Sequence, residues 1–271
     1  MRVCKIGKHA HIMGVRLGVF PRLHHNFSDA KQGDNFVIMT VLVQRLSLWR
    51  PSKIKFEAIL FDLDGTLLDT LADIANSMNA VLSELGFATY PTDSYRYFVG
   101  DGLEHLVKRT VPRKHLNEKT INNCFEAVRE QYGRRWADNT KPYPGIPELL
   151  SSLEERNISK VVLSNKPDDF TQLTIKKFLP DYDFKIVRGL RPGDAPKPDP
   201  AIALQIADEL DIHPHRFVYL GDTNTDMQTA CATGMFGVGV LWGFREAEEL
   251  KAHGAEALVG NPLEVMKFFE K

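Results

Sequence analysis

The sequence predicts an α/β fold: a doubly wound parallel-sheet core with an inserted helical cap domain. Three observations predict it. Short apolar runs at 58–61, 161–163 and 217–220 are too brief for solitary helices and read as strands buried on both faces. Beyond residue 141 such runs alternate with helical patterns, the signature of a parallel sheet covered by helices. Between residues 71 and 140 only helical periodicity is found, so a helical unit interrupts the alternation.

Taken in order, residues 1–55 stand apart. They carry ten Lys and Arg against Asp29 and Asp34, and four of the nine histidines, His9, His11, His24 and His25. Few acids among scattered Arg is transit-peptide composition. A disordered basic tail, or an upstream extension with Met39 as the functional start, fits the same segment. The His9–His11 pair has no further ligands nearby and predicts no metal site. The apolar run 36–43 is too short to span a bilayer.

The core opens on Phe56-Glu57-Ala58-Ile59-Leu60-Phe61-Asp62-Leu63-Asp64-Gly65-Thr66. Gly65 and Thr66 break the strand, and a helical pattern begins near Thr70. Ile74, Met78, Val81, Leu82 and Leu85 recur at helical spacing, and Gly86 stops the run. Leu103, Leu106, Val107 and Val111 form a second stripe, closed by Pro112. Ile121, Cys124, Phe125, Val128 and Tyr132 form a third, which makes Cys124 a core residue. Residues 141–145 (Lys-Pro-Tyr-Pro-Gly) read as a stiff linker. Then follow helix 146–156, strand 161–163, helix 170–178, strand 184–187, helix 201–210, strand 217–220, a helix from 225 and strand 238–241. The predicted domains are thus an extension at 1–55, a core at 56–70 and 141–271, and a cap at 71–140.

Net charge is −1, so the whole molecule is not built to grip nucleic acid. Cys4, Cys124 and Cys231 are an odd number without paired spacing; this is no disulfide framework and fits a reducing, cytoplasmic setting unless residues 1–55 target an organelle. No phosphate loop ending in Gly-Lys-Ser/Thr exists, and the glycines at 234–239 do not follow a strand in dinucleotide-binding order.

Four stretches carry chemistry. Asp62 and Asp64 end a buried strand, where open α/β sheets bind ligands. Two acids so close repel, and a cation between them or a proton on one relieves the strain. A bare Asp-x-Asp also suits helix-capping turn acids. Ser164 and Asn165 end the second strand, and Ser164 with the amide of Asn165 can hold phosphate oxygens in a helix-entry loop, although a Ser after a strand is usually just a cap. Pro196 and Pro198 restrict the backbone around Lys197 and fix where that lysine leaves the chain. Asp222 ends a further apolar strand, and Asp226 falls in the next helix's first turn, where the dipole favours it. With Asp62 these acids make a hard, oxygen-rich site of the kind Mg²⁺ takes.

The string FDLDGTLLDT, Ser164-Asn165, the Lys197-Pro198 segment and the Gly221-Asp222 strand end with Asp226 resemble, in order, the four motifs of the haloacid dehalogenase superfamily. Val99-Gly100-Asp101-Gly102-Leu103 and the segment 237–245 are similar to its phosphoglycolate phosphatase branch. The resemblance covers residues 56–271 and implies an Mg²⁺-dependent phosphomonoesterase. In that family pattern Asp62 is the nucleophile that forms a phospho-aspartate, and Asp64 is the acid and base. Ser164, Asn165 and Lys197 hold phosphate. Asp62, Asp222 and the Asp64 backbone carbonyl hold the metal, and Asp226 orients Lys197 or metal-bound water.

The implied partner is a small phosphorylated metabolite, phosphoglycolate first, with no nucleic acid or membrane, acted on by a monomer or homodimer. Gly100, Gly102, Lys108 and Arg109 are the cap candidates for substrate contact, although such basic residues also suit a solvated helix face. The rivals are a β-phosphoglucomutase-like mutase, a pyrophosphatase or nucleotide phosphatase, a dehalogenase, which does not need Asp64, and a binding protein with a vestigial site.

Overall fold

The computed structural model describes residues 55–270; the expectations for residues 1–54 lie outside the described residues. Strand β1 (Ala58–Phe61) is the centre of a six-stranded parallel sheet. Going outward on one side come β4 (Ser159–Pro167) and β5 (Ile186–Leu190). On the other come β6 (Phe217–Gly221), β7 (Phe236–Val240) and β8 (Ala257–Val259). The chain therefore reverses its direction of travel across the sheet beside β1, which puts β1 and β6 at the topological switch point.

Alternate residues of one strand supply two cores. Ile59 and Phe61 pack with Val162, Val218 and Leu220 beneath helix α4 (Ile146–Glu155) and α5 (Asp168–Phe178). Ala58 and Leu60 pack with Val161, Leu163 and Tyr219 beneath α6 (Ala201–Glu209) and α7 (Asn224–Thr233). Both faces of the strands are covered, which is why their sequences are continuous apolar runs.

Three α-helices make up the insert between residues 70 and 140: α1 (Leu71–Glu84), α2 (Leu103–Thr110) and α3 (Glu118–Arg135). Their apolar stripes, Cys124 included, form a separate cluster to which the core adds Phe170 and Phe244. Asp73, fully buried at the start of α1, closes this insert. Its two oxygens accept from the Asn139 and Thr140 backbone amides and from both side chains, at 2.7–3.1 Å. The exit of the insert is thereby pinned to its entry.

Several expectations shift. Lys141–Pro142 is not only a linker: it is strand β3, antiparallel to β2 (Leu68–Asp69). Strand β4 runs on to Pro167, so Ser164 and Asn165 lie within an irregular strand and not in a helix-entry loop. β5 begins two residues later than expected, at Ile186. Helix α8 (Ala247–Ala252), β8 and a 3₁₀ segment at Pro262–Phe268 complete the core without having been predicted.

Candidate active site

The four chemistry-bearing stretches meet at the carboxyl ends of β4, β1 and β6. Asp62 follows β1 at the middle, Ser164 stands on β4 to one side and Asp222 follows β6 on the other. All are at least nine-tenths buried.

Lys197 reaches this centre from the loop between β5 and α6. Its Nζ lies 2.8 Å from Asp62 Oδ1 and 2.7 Å from Asp226 Oδ1, and it donates to the Leu163 carbonyl at 3.1 Å. Burial alone would lower this ammonium, but Asp226 and Asp62 outweigh it and hold it well above the ordinary lysine range. Asn165 does not spend its side chain on ligand. Its Oδ1 accepts from the Lys197 amide at 2.8 Å, and its Nδ2 donates to the Lys197 and Gly100 carbonyls at 3.1 and 2.9 Å. It is a clamp that sets the Lys197 backbone against β4.

Asp62, Asp222 and Asp226 bring carboxylate oxygens within 4.8 Å of one another. They differ in what remains to offer. Asp226 Oδ2 accepts from the Thr223 amide at 3.0 Å and hydroxyl at 2.6 Å, in a capping box at the start of α7, while Oδ1 takes Lys197. Its lone pairs are spent on holding Lys197 and the helix. Asp222 accepts one bond per oxygen, from Thr66 Oγ1 at 2.9 Å and the Phe244 amide at 2.8 Å, so each oxygen keeps a lone pair. Gly65 makes the approach of these loops feasible. It has φ +88°, and a Cβ there would stand 2.3 Å from Asp222 Oδ2.

Burial, then the Asp226 carboxylate, pushes Asp62 up to about 7 against the pull of Lys197. Burial, then Asp62 and Asp226, raises Asp222 well above the carboxylate range. Three carboxylates against one ammonium leave a formal charge of −2 in a buried space. A hard divalent cation fits both that charge and an all-oxygen donor set centred on Asp62 and Asp222.

Asp64 is set differently. Its Oδ1 pairs with Lys166 Nζ at 2.8 Å. Burial would depress that lysine, but the Asp64 carboxylate and then Tyr132 overcome it and raise the ammonium above its usual range. Asp62, Asp64, Ser164 and Lys166 open into a cavity of about 80 Å³ that is also lined by Tyr132, Gly100 and Gly102 of the insert. Gly102 is held at φ +91°, with a would-be Cβ 3.3 Å from the Asn165 carbonyl, so a side chain there would be strained and crowded.

Lys108 and Arg109 do not reach this cavity. Lys108 is exposed and paired with Glu104 one turn back. Arg109 pairs with Asp101 and donates to the Phe98 carbonyl at 3.0 Å, so it braces the Gly100–Gly102 turn from behind. Following a glycine turn in sequence does not decide which way a helical side chain faces. Residues 242–245 likewise support rather than line the cavity. Trp242 Nε1 donates to the Thr66 carbonyl at 3.0 Å. Arg245 donates to the Arg96 and Val99 carbonyls of the insert, and Arg96 returns a 2.7 Å bond to the Gly243 carbonyl. Sequence reasoning missed Lys166, Tyr132, Thr66 and Thr223. Lys166, adjacent to the Ser164-Asn165 pair, and Thr66, inside the FDLDGTLLDT string, carried a local signal.

The model of the haloacid dehalogenase-like hydrolase family matches residues 59–240. A phosphoglycolate phosphatase of Nitrosospira multiformis is 31% identical over 219 residues, covering 79% of this chain and 96% of that protein. One from Aquifex aeolicus is 32% identical over 187 residues, 69% of this chain and 85% of that protein. A solved structure from Lactobacillus delbrueckii subsp. bulgaricus, provisionally assigned as a phosphoglycolate phosphatase, superimposes with a TM-score of 0.74 at 26% identity, covering 79% of this chain and 98% of that one. With two thirds of its length matched by the family model and its acids gathered at the sheet's switch point, the chain belongs to the haloacid dehalogenase-like hydrolases and is an enzyme of their phosphatase kind.

Proposed function

We propose that this enzyme hydrolyses a small phosphorylated carboxylic acid, phosphoglycolate first, through a phospho-aspartate on Asp62. The carrying observation is the contact of Asp62 with Lys197, beside a cavity that Asp62 and Asp64 both line. An Asp62 oxygen forms a bond to phosphorus as the bond from phosphorus to the leaving oxygen breaks, and Asp64 gives its proton to that oxygen. Asp64 then takes a proton from water, whose oxygen attacks phosphorus and frees phosphate and Asp62. Lys197 and Ser164 hold the transferring oxygens, and Asn165 fixes Lys197. Asp226 spends its charge on holding that lysine. Mg²⁺, held by Asp62, Asp222 and the Asp64 backbone carbonyl, would neutralise the phosphoryl charge. Such chemistry depends on positioning and charge neutralisation, the two things this inventory supplies. In this reading the insert acts as a cap that excludes water from the reaction.

Cavity size supports a small substrate: about 80 Å³ holds on the order of six water-sized groups at roughly 10–15 Å³ each. That accommodates a two-carbon phosphate more readily than a hexose phosphate. The curated relatives carry the phosphoglycolate phosphatase name at comparable length. Among the described residues no helix is long and apolar enough to cross a membrane, and a freely diffusing metabolite in the cytosol is the substrate pool this reading expects.

The test is phosphate release from phosphoglycolate, p-nitrophenyl phosphate and β-glucose 1-phosphate by purified protein with Mg²⁺, with glucose 6-phosphate followed in parallel. EDTA should stop release and Mg²⁺ restore it. Glucose 6-phosphate formation, with phosphoglycolate cleaved no faster than p-nitrophenyl phosphate, would replace this reading by a mutase.

A second outcome follows from Asp62. Its folded value of about 7 lies above the ordinary carboxylate value of 3.8, so its contribution to metal-free stability is full below about pH 4 and is lost as pH rises through 7. Metal must displace that proton. Mg²⁺ should therefore raise the thermal midpoint more at pH 8 than at pH 6. An equal rise at both, measured by calorimetry, would show that Asp62 does not bind the ion.

A further inference from the structure

The cavity wall holds two polar groups to which the phosphoryl chemistry gives no contact with substrate. Tyr132, on α3 of the insert, is 7% exposed, and its hydroxyl is buried without a hydrogen-bond partner. Its ring is fixed edge-on against Phe170, with centroids 5.0 Å apart at 84°. Lys166 Nζ stands 4.7 Å from the centre of that ring, over its face. The lysine side chain is 5% exposed, and of its three donors one goes to Asp64. Both side chains line the cavity.

Their position along the reaction axis decides what they meet. Lys197 and Ser164 gather on the phosphoryl side. Asp64 must touch the leaving oxygen, and Lys166 touches Asp64. Lys166 and Tyr132 therefore lie where the rest of the leaving group goes. Arg129, the other cation on the wall, is already engaged by Asp169 and stacked at 5.2 Å on Phe170. A buried hydroxyl with no acceptor beside an ammonium with donors to spare is a site for an anionic oxygen.

We propose that the Tyr132 hydroxyl and the Lys166 ammonium form the subsite that recognises the substrate's carboxylate, in place of Lys108 and Arg109. This rests on the phosphatase reading above. One group comes from the insert and the other from β4, so the subsite exists only while the insert lies against the core. An acid substrate then rewards closure, and an uncharged leaving group does not.

The experiment compares kcat/KM for phosphoglycolate and for ethyl phosphate, which has the same length and lacks the carboxylate. Wild type should prefer the acid strongly. Y132F should lower that preference about tenfold, the scale of one hydrogen bond to a charged group, mainly through KM. It should not lower the thermal midpoint, since the lost hydroxyl had no partner. K166M should lower the preference further. It also frees Asp64 of its partner, so turnover of both esters falls and the ratio is the quantity read. A merely structural tyrosine or lysine would move both substrates together. A preference within twofold of wild type in both variants overturns the subsite. So does a wild type that cleaves both esters equally, in which case the phosphatase reading stands; cleavage of neither ester, nor of p-nitrophenyl phosphate, would remove that reading and the subsite with it.

Discussion

Asp62→Asn is expected to cut kcat by three or more powers of ten with little loss of fold. An amide oxygen cannot form the acyl phosphate, and a loss of that size corresponds to at least about 4 kcal/mol of barrier. Stability should hold because Asn has the same shape. The change also removes one of three crowded carboxylates, whose mutual repulsion and burial already drive Asp62 towards its neutral form. The metal-free thermal midpoint should stay level or rise, while the stabilisation conferred by Mg²⁺ shrinks because one of its donors is weakened. Phosphate release under saturating phosphoglycolate measures the first effect and calorimetry with EDTA or Mg²⁺ the second. Turnover within tenfold of wild type would remove Asp62 as nucleophile and leave it as a metal ligand at most.

The elements that set this site were legible in the chain where local pattern and burial coincide. β1 and β6 are covered on both faces, so their sequences are unbroken apolar runs, and the acids that end them mark the sheet's edge. The three insert helices bury one stripe each, which is what helical periodicity reports. Elements with too few residues to show a period were not legible, as with the two-residue pair of β2 and β3. Nor was the extension of β4 through Asn165, which is fixed by the distant Lys197 and Gly100 backbones. The roles of side chains failed in the same way. Tyr132 read as one more member of an apolar stripe, and it does pack as one; only its hydroxyl, buried without a hydrogen-bond partner on a ring whose face meets Lys166, distinguishes it. Thr66 looked like a strand breaker, yet its hydroxyl holds Asp222 from 156 residues away. Lys108 and Arg109 were favoured because charge near a glycine turn is visible in sequence, whereas the acids that take up their charge are found only by folding the turn.

Lys197→Met should be the most damaging single change to stability within the site. Lys197 is the counter-charge of both Asp62 and Asp226 and is itself buried, so its removal strands two buried carboxylates without their cation. Losing one partner of such a buried group costs about 3–5 kcal/mol, which for a domain of this size lowers the thermal midpoint by on the order of 10 °C. The sign with pH is fixed by Asp62. Lysine is among the influences holding its value down, so without it the folded-state value climbs further above 3.8. Stability in EDTA is then kept at low pH, where Asp62 carries a proton, and lost as pH rises. The gap between wild type and K197M should widen from pH 5 to pH 8. Adding D226N to K197M should recover part of the lost stability, because an amide at 226 can still accept from Thr223 and no longer repels Asp62. It should recover none of the activity, since the phosphoryl group has still lost the cation that neutralises it. Thermal unfolding of the three proteins at both pH values, beside phosphate release with Mg²⁺, separates the two duties. A pH-independent gap, or a double variant no more stable than K197M, would mean that Lys197 is held for its reach and packing and that the charge balance drawn around Asp62 is wrong.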